Sequence, residues 1–392
     1  MALHGRNTAT ANIRPRHGIG HRGVTLAGLL AAGALTASVA VPAGAYAAVT
    51  HPAAGGLAHS VTATQTNGTD GGVTQFGMAD PDLLGESTST QAAQLAAMKA
   101  IGITEIRLDA NWDWVQYGGQ NSFDWAQLDQ AVASVRAAGM SADLIVDGCP
   151  PWAAVSGTRG DPSPQPASSA QYARWASEVA ARYAPKGVKT FEIWNEPNNA
   201  AFWQPAPNPA AYTADLIAAY KAIKKVDPSA FVLSGGLAPE SNDGTNINAI
   251  TFLQAMYAYG ARGHFDGVGY HPYSYPALPN TYDSWSGWSQ MSQTSPSIRS
   301  VMAANHDSAK RIYITEVGAP SGGPSGVGQT SQAAELTQAI EAAKATSWIG
   351  GVYLYSWRDD GTDTSNTEDW FGLLTSAGVH KPAYTAVKNA IG

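Results

Sequence analysis

The chain has 392 residues, of which 44% are hydrophobic and 14% are charged, with 12 tryptophans and 16 tyrosines. This is enough apolar material for one large domain. The excess of 30 acidic over 23 basic residues argues against nucleic acids and anionic polymers as partners. The single cysteine, Cys149, excludes an internal disulfide, so the fold depends on its core.

Residues 1–47 have the layout of a secretory signal peptide. Four arginines and no acidic residue accompany an apolar run at 24–41, and small residues suited to cleavage follow at 43–47. An uncleaved membrane anchor is the alternative, because the run is long for a signal core. We expect a secreted protein with no stable membrane association. Removing the four arginines leaves 19 basic against 30 acidic residues, a net charge of −11.

The rest of the chain divides into a linker and a domain. Residues 48–72 are rich in small and polar residues and predict a flexible linker, and residues 73–392 predict a single domain. Runs typical of strands cover 73–78, 105–109, 142–147, 189–195, 231–235, 266–270, 311–316 and 351–357. Helical patterns between them cover 90–100, 125–138, 171–183, 209–226, 247–259 and 332–345.

This alternation predicts an α/β fold with parallel strands joined by right-handed crossovers. Eight strands favour a closed (β/α)8 barrel. An open doubly wound sheet is the alternative. Such a sheet usually carries a glycine-rich phosphate-binding turn after its first strand, and Gly-Met-Ala-Asp-Pro at 77–81 is not one.

Two isolated glutamates stand at the ends of predicted strands. Glu196 follows the run at 191–195, and Glu316 follows the run at 312–315. Both are expected at the carboxyl-terminal rim, where barrel enzymes build their sites. One such glutamate is usually structural, but two in this setting favour a pair that cleaves glycosidic bonds. We assign Glu196 as general acid/base and Glu316 as nucleophile.

Polar and aromatic residues accompany the two glutamates at the strand ends. Arg107 is placed to keep Glu316 ionised, and Tyr273 to donate a hydrogen bond to it. Tryptophans at these ends either pack in the barrel or stack on sugar rings, and we include Trp152 and Trp203 among the substrate-binding candidates. The histidines have no metal-binding spacing, so we expect no metal and no cofactor.

Four stretches resemble the retaining (β/α)8 glycoside hydrolases of the clan that includes families 5 and 39. They are WNEPN at 194–198, GYHPY at 269–273, ITEVG at 314–318 and FGLLTSAGVHKPAY at 371–384. The resemblance extends over the whole predicted domain. It implies that Asn195 holds the sugar 2-hydroxyl, that Arg107 and Tyr273 bracket the nucleophile, that His271 lines the subsite of the cleaved sugar, and that Trp357 forms its floor.

The expected activity is hydrolysis of β-linked oligo- or polysaccharides by double displacement, without a metal. A non-catalytic carbohydrate-binding protein on the same barrel is one alternative, and a metal-dependent barrel hydrolase is another. The intact pair of glutamates disfavours the first of these.

Overall fold

The computed structural model describes residues 75–158 and 160–392. The predicted signal peptide at 1–47 and the predicted linker at 48–72 lie outside these residues. Among the helices of the described part, none has the length and apolar character needed to cross a membrane.

All eight predicted strands are present, and every pair of neighbours in the sheet is parallel. The order across the sheet is β5-β4-β3-β2-β1-β8-β7-β6. The strands are β1 Phe76–Ala79, β2 Glu105–Asn111, β3 Ser141–Asp147, β4 Thr190–Asn195, β5 Phe231–Gly236, β6 Val268–Tyr270, β7 Ile312–Val317 and β8 Ile349–Tyr355.

The helices of the described part surround the sheet, and the six predicted ones begin and end within three residues of their expected bounds. They are α1 Thr88–Ala100, α2 Trp112–Gln116, α3 Ala126–Ala137, α4 Ser169–Tyr183, α5 Pro209–Val226, α6 Ala249–Ala258, α7 Gly287–Ser292, α8 Ile298–Ala304, α9 Gln329–Lys344 and α10 Pro382–Ile391.

The short helices α7 and α8 lie between β6 and β7, where none of the six predicted helical patterns falls. Ser286 and Ser297 precede them, and each side chain accepts a hydrogen bond from a backbone N–H three residues later. Such serine caps satisfy otherwise unpaired N–H groups and allow a single turn or two of helix to form.

Hydrogen bonds between β5 and β6 close the barrel. The N–H of Ser234 donates to the carbonyl of Gly267 at 3.1 Å, and the N–H of Leu237 donates to the carbonyl of Gly269 at 3.2 Å. The two ends of the sheet are therefore joined. This confirms the predicted (β/α)8 barrel and excludes the open sheet.

The inside and outside of the barrel differ in chemistry. Side chains alternate along a strand, so Ile106 and Leu108 pack in the main apolar core while Arg107 points the other way. Arg107 and Glu192 are both almost fully buried. A charged centre inside an apolar shell requires internal partners for each charge.

Gly269 allows β5 and β6 to approach closely. A Cβ atom at this position would lie 2.5 Å from the carbonyl oxygen of Ser234 and 2.9 Å from the nitrogen of Gly236. Both are backbone atoms of β5, so neither can move aside without disturbing the closure.

We expect Gly269→Ala to lower the free energy of unfolding by about 1–3 kcal/mol, because the added methyl group has no space. The control is Gly85→Ala, where no atom of the described residues lies within 4 Å of the added Cβ, and where the free energy of unfolding should change by no more than about 0.5 kcal/mol. Denaturant unfolding followed by tryptophan fluorescence measures both. Equal stability of the two variants would contradict the tight closure.

Candidate active site

The first feature of the rim is the strained turn that presents Glu196 directly after β4. Trp194 and Glu196 have left-handed backbones, with φ of 71° and 44°. The N–H of Glu196 donates to the carbonyl of Gly236 at 3.0 Å, and the indole of Trp194 donates to the carbonyl of Phe202 at 2.7 Å. Such backbones cost about 1–3 kcal/mol each and cluster at functional sites, where surrounding contacts maintain them.

Arg107 of β2 connects three strands inside the barrel. Its Nε donates to Glu192 at 2.7 Å and its Nη1 to Glu316 at 2.6 Å. Its Nη2 donates to Asn195 at 2.8 Å and to Glu192 at 3.2 Å. The attraction of the two carboxylates raises the pKa of Arg107 further above its ordinary value, although burial opposes this. Arg107 is therefore a permanent cation beside Glu316.

Glu316 of β7 is held as a carboxylate. One oxygen accepts from Arg107, and the other accepts from the phenol of Tyr273 at 2.7 Å. Burial alone would raise the pKa of Glu316, but attraction from His271 when its ring is charged, attraction from Arg107, and the two hydrogen bonds lower it. Burial and the nearby carboxylate hold the pKa of Tyr273 well above its usual value, so its phenol keeps its proton and donates.

Glu196 begins a chain of buried hydrogen-bonding groups. Its Oε1 lies 2.8 Å from Nδ1 of His271, whose Nε2 lies 3.0 Å from the hydroxyl of Thr315. That hydroxyl lies 3.2 Å from Oε1 of Glu192. His271, Thr315 and Glu192 are fully buried.

Two arrangements of protons are possible along this chain. When Glu196 is protonated, it donates to Nδ1, the Nε2–H donates to Thr315, and Thr315 donates to Glu192. When Glu196 is ionised, the Nδ1–H donates to it and Thr315 donates to Nε2 in place of Glu192, which keeps its bonds from Arg107 and Gly236. Neutral His271 can therefore support both protonation states of Glu196 by a change of tautomer.

The two predicted glutamates face each other across the mouth. One carboxylate oxygen of each, together with a ring nitrogen of His271, lie within 4.8 Å of one another. Within the described residues, this is the group of three that could hold a metal ion. The guanidinium of Arg107 already supplies a positive charge to Glu316, and Glu196 and His271 are hydrogen-bonded to each other. This donor set suits proton transfer better than cation binding.

Sequence reasoning missed Glu192 and Thr315. Glu192 receives two bonds from Arg107 and one from the N–H of Gly236 at 2.7 Å. A charged residue inside an otherwise apolar strand run, Phe-Glu-Ile-Trp, was the available signal, because such a charge needs a buried partner. Thr315 gave no signal, since threonine is ordinary in a strand.

A third carboxyl group, Glu240, lies near Glu196 and was also missed. The side-chain N–H2 of Asn199 donates to Glu196 at 3.2 Å and to Glu240 at 3.0 Å. Burial, with repulsion from Glu196 and Asp243, raises the pKa of Glu240 to about 7. Nothing in the sequence near 240 marks it, because it follows a proline after β5 has ended.

The three candidate tryptophans lie in different surroundings. Trp203 is fully buried, with its ring centre 4.9 Å from that of Trp194, and Trp357 is 3% exposed and packs 6.0 Å from Tyr384. Neither offers a ring face to a sugar. Trp152 is half-buried and lines a separate cavity of about 230 Å³. The sequence could not distinguish them, because burial depends on residues far away in the chain.

Tyr355, the last residue of β8, belongs to a cluster of aromatic rings beside Glu316. Tyr355 packs against Phe371, which also contacts Tyr273 and Tyr275. The four rings form an aromatic wall beside Glu316, and the negative charge of Glu316 is among the causes that raise the pKa of Tyr355.

The fold and this site together define a class of protein. A (β/α)8 barrel with two facing carboxyl groups at its carboxyl-terminal rim, one of them paired with a buried arginine, is the arrangement of a barrel glycosidase. The family model described as "Cellulase (glycosyl hydrolase family 5)" matches residues 63–358. The chain belongs to this family, and it is a glycosidase that hydrolyses glycosyl bonds.

Solved structures share the barrel at low sequence identity. A family 39 glycoside hydrolase from Bacteroides cellulosilyticus WH2 has 23% identity and a TM-score of 0.65, with 82% of this chain and 64% of that chain covered. A family 5 enzyme of Streptomyces cattleya, GH5_18, was solved with GlcNAc. It has 18% sequence identity and a TM-score of 0.63, and the match covers 82% of this chain and 80% of that chain. A β-xylosidase from Caulobacter crescentus CB15 has 19% sequence identity and a TM-score of 0.58, and the match covers 81% of this chain and 68% of that chain. No curated protein sequence gives a significant match.

We expect Glu240→Gln to shift the alkaline limb of the kcat/KM profile to lower pH by about 0.5–1 unit. Glu240 has a pKa of about 7, so it ionises as the pH rises and then favours the protonated form of the neighbouring acid. Glutamine removes this charge but keeps the shape. The exposed Glu341→Gln on α9 serves as control. Superimposable pH profiles of the two variants would show that Glu240 has no influence on the alkaline limb.

Proposed function

We propose that the protein is a retaining glycosidase that cleaves β-linked O-glycosidic bonds in oligo- or polysaccharides. The spacing of the two glutamates carries the proposal. Their carboxylate oxygens approach within 4.8 Å. Retaining enzymes place their carboxyl groups about 5–5.5 Å apart, whereas inverting enzymes need about 6.5–9.5 Å to admit a water molecule. The family's description as a cellulase supports a β-linked glycan.

In the first step, Glu316 attacks the anomeric carbon of the sugar. A bond forms between its oxygen and this carbon while the bond to the leaving oxygen breaks, and Glu196 transfers its proton to that oxygen. In the second step, Glu196 takes a proton from water. The water oxygen then bonds to the anomeric carbon, and the ester to Glu316 breaks. Each step inverts the anomeric carbon, so the two steps together leave its configuration unchanged.

The surroundings of each glutamate support this division of roles. Glu316 has a lowered pKa, an adjacent cation and a phenol donor, so it remains an ionised nucleophile. Among the described residues, Glu196 has no cation at bonding distance except when His271 is protonated, and the buried chain through His271 and Thr315 accommodates both of its protonation states. A group that gives up a proton and later regains one needs this property.

Asn195 and His271 fit the sugar-binding roles that the resemblance implies. The Oδ1 of Asn195 accepts from Arg107, which orients the amide so that its N–H2 is the group presented to the sugar 2-hydroxyl. His271 lies between the two carboxylates, with its Nδ1 3.7 Å from Glu316. Trp152 stays a candidate platform, whereas Tyr355 takes the place proposed for Trp357 beside the nucleophile.

The proposal also includes export from the cell. The basic lead, the apolar run at 24–41 and the small residues at 43–47 support it. A secreted enzyme would meet oligo- and polysaccharides outside the cell, and its acidic mature chain would have no affinity for nucleic acid.

We expect Glu316→Gln to abolish turnover of β-linked glucan, mannan and xylan oligosaccharides, because the amide is a far poorer nucleophile. Glu196→Ala should slow an unactivated oligosaccharide by about 10²–10⁴-fold. Its effect on a 2,4-dinitrophenyl glycoside of the same sugar should be much smaller, since this leaving group needs no proton. The ratio of kcat/KM for the two substrates is the measurement.

Two further results would contradict the mechanism. An equal loss on both substrates would remove Glu196 from the acid/base role, and NMR detection of the inverted anomer as the first product would exclude double displacement. Loss of activity on treatment with EDTA, restored by a metal, would favour the metal-dependent alternative. We expect EDTA to have no effect.

We expect the full chain expressed with its own leader to appear in the medium beginning near residue 48. Sequencing the amino terminus of the released protein measures this. The double variant Leu29→Arg, Leu30→Arg should stay inside the cell, because charges interrupt the apolar run. Full-length protein that remains with the membrane fraction would favour the anchor.

A further inference from the structure

The segment that follows β8 is fixed by a buried ion pair. The ammonium of Lys381 donates to Asp359 at 2.5 Å, and neither side chain is more than 2% exposed. The same ammonium donates to the hydroxyl of Ser321 at 2.8 Å and to the carbonyl of Trp370 at 3.2 Å, so all three of its N–H groups are used. The segment, 359–384, follows the residues that the family model matches and contains the closing motif FGLLTSAGVHKPAY.

An ion pair at this place requires an explanation other than stability. Burying two charges costs free energy that their attraction offsets only in part, and apolar side chains of similar volume are often as stable. Burial lowers the pKa of Lys381 and raises that of Asp359, while the attraction between the two groups acts in the opposite direction. What the pair supplies is one fixed geometry for the backbone to which it bonds.

Asp359 fixes the backbone around Phe371. Its Oδ1 accepts from the N–H of Gly372 at 2.9 Å, and its own N–H donates to the carbonyl of Leu374 at 2.9 Å. A Cβ at Gly372 would lie 2.1 Å from the nitrogen of Asp359, so the close approach requires glycine. Gln332 of α9 binds the same segment, since its side-chain N–H2 donates to the carbonyls of Phe371 and Gly372 at 3.1 and 3.2 Å. The backbone of Phe371 therefore has little freedom to move.

The ring of Phe371 connects this backbone to the candidate site. It is 3% exposed, and its centre lies 6.0 Å from that of Tyr273 at an interplanar angle of 75°. Edge-to-face contacts of this kind favour a particular orientation of the two rings. The phenol of Tyr273 needs a fixed orientation in order to donate to Glu316 at 2.7 Å. The path from Lys381 to Glu316 thus consists of one ion pair, one fixed backbone segment and one pair of rings.

We propose that Lys381 and Asp359 are positioning residues for Glu316. By fixing the backbone of Phe371, they hold Tyr273 at the place from which its phenol donates to the nucleophile. They act only through these two rings and touch no reacting atom. The inference rests on the proposed function in that Glu316 is the nucleophile, but the ionisation of Glu316 can be measured without turnover.

Loss of this positioning should change the ionisation of Glu316 in a known direction. The titratable and charged groups that face Glu316 are Arg107 on β2, Glu196 after β4, His271 and Tyr273 after β6, and Tyr355 on β8. Of these groups, Tyr273 and Tyr355 contact Phe371, and only Tyr273 donates to Glu316. The bond from Tyr273 lowers the pKa of Glu316, so weakening that bond raises this pKa and leaves more of the nucleophile protonated at low pH.

The test compares Lys381→Met with Lys310→Met. Lys310 pairs with Asp307 at 2.9 Å just before β7, at the opposite end of the barrel from the rim. Each variant removes the cation from a buried carboxylate, so both should lower the midpoint of denaturant unfolding. Only Lys381→Met should move the acidic limb of the kcat/KM profile to higher pH, by about 0.5–1 unit. The substrates are 2,4-dinitrophenyl β-glycosides of glucose, mannose and xylose.

Two further variants separate positioning from a general loosening of the fold. Tyr273→Phe removes the phenol and should itself move the acidic limb to higher pH. In this background Lys381→Met should move the limb no further, because no donor is left to position. Phe371→Leu should reproduce the shift of Lys381→Met, again only when Tyr273 is present, and it replaces Lys381→Met if that variant does not fold.

The outcomes distinguish this inference from the proposed function. Identical acidic limbs for Lys381→Met and Lys310→Met, or an equal shift in the Tyr273→Phe background, would overturn the positioning role. If Glu316→Gln keeps its turnover, the proposed function fails. Carbon-13 NMR titration of the glutamate carboxyl groups then decides the inference, with Glu316 assigned by the signal that Glu316→Gln removes. A higher pKa of Glu316 in Lys381→Met supports the positioning role, and an unchanged pKa overturns it.

Discussion

The buried guanidinium of Arg107 is the interaction on which the rest of the site depends. A cation inside the barrel is tolerated only when it is paired and its N–H groups are used, and Glu192, Asn195 and Glu316 meet that requirement. Removing one partner of such a buried ion pair typically lowers the free energy of unfolding by about 3–5 kcal/mol. The planar fork of arginine reaches three side chains on two other strands, which the single ammonium of lysine does not. One charge thus fixes Glu316 and orients the amide of Asn195.

Glu192 links this charge to the closure of the barrel. The same carboxylate accepts from Arg107, from the N–H of Gly236 in β5 and from the hydroxyl of Thr315 in β7. The backbone of Gly236 in turn accepts from Glu196. The region where the sheet ends meet is therefore also the region that positions Glu196. The same contacts stabilise the closure of the barrel and fix the geometry of the candidate site.

Two identical side chains acquire different chemistry from these surroundings. Glu316 lies between a permanent cation and a phenol that keeps its proton, and both stabilise its negative charge. Glu196 lies between an imidazole with two usable tautomers and an amide shared with Glu240, which supplies charge of the same sign. Environment, not residue type, distinguishes the two carboxyl groups and supports the roles of nucleophile and proton donor that we propose for them.

The sequence alone determined the eight strands, their parallel arrangement and the position of Glu196 and Glu316 at their ends, because periodicity and chain order are local properties that a barrel converts directly into geometry. It placed Arg107 and Tyr273 near Glu316 for the same reason. Only the tertiary structure decided that Trp203 is buried and that Tyr355 packs in the aromatic wall beside Glu316, since burial depends on which distant residues pack against a ring. The roles of Glu192 and Thr315 likewise depend on contacts across the barrel. Such contacts exist only after closure brings together atoms that are more than a hundred residues apart in the chain.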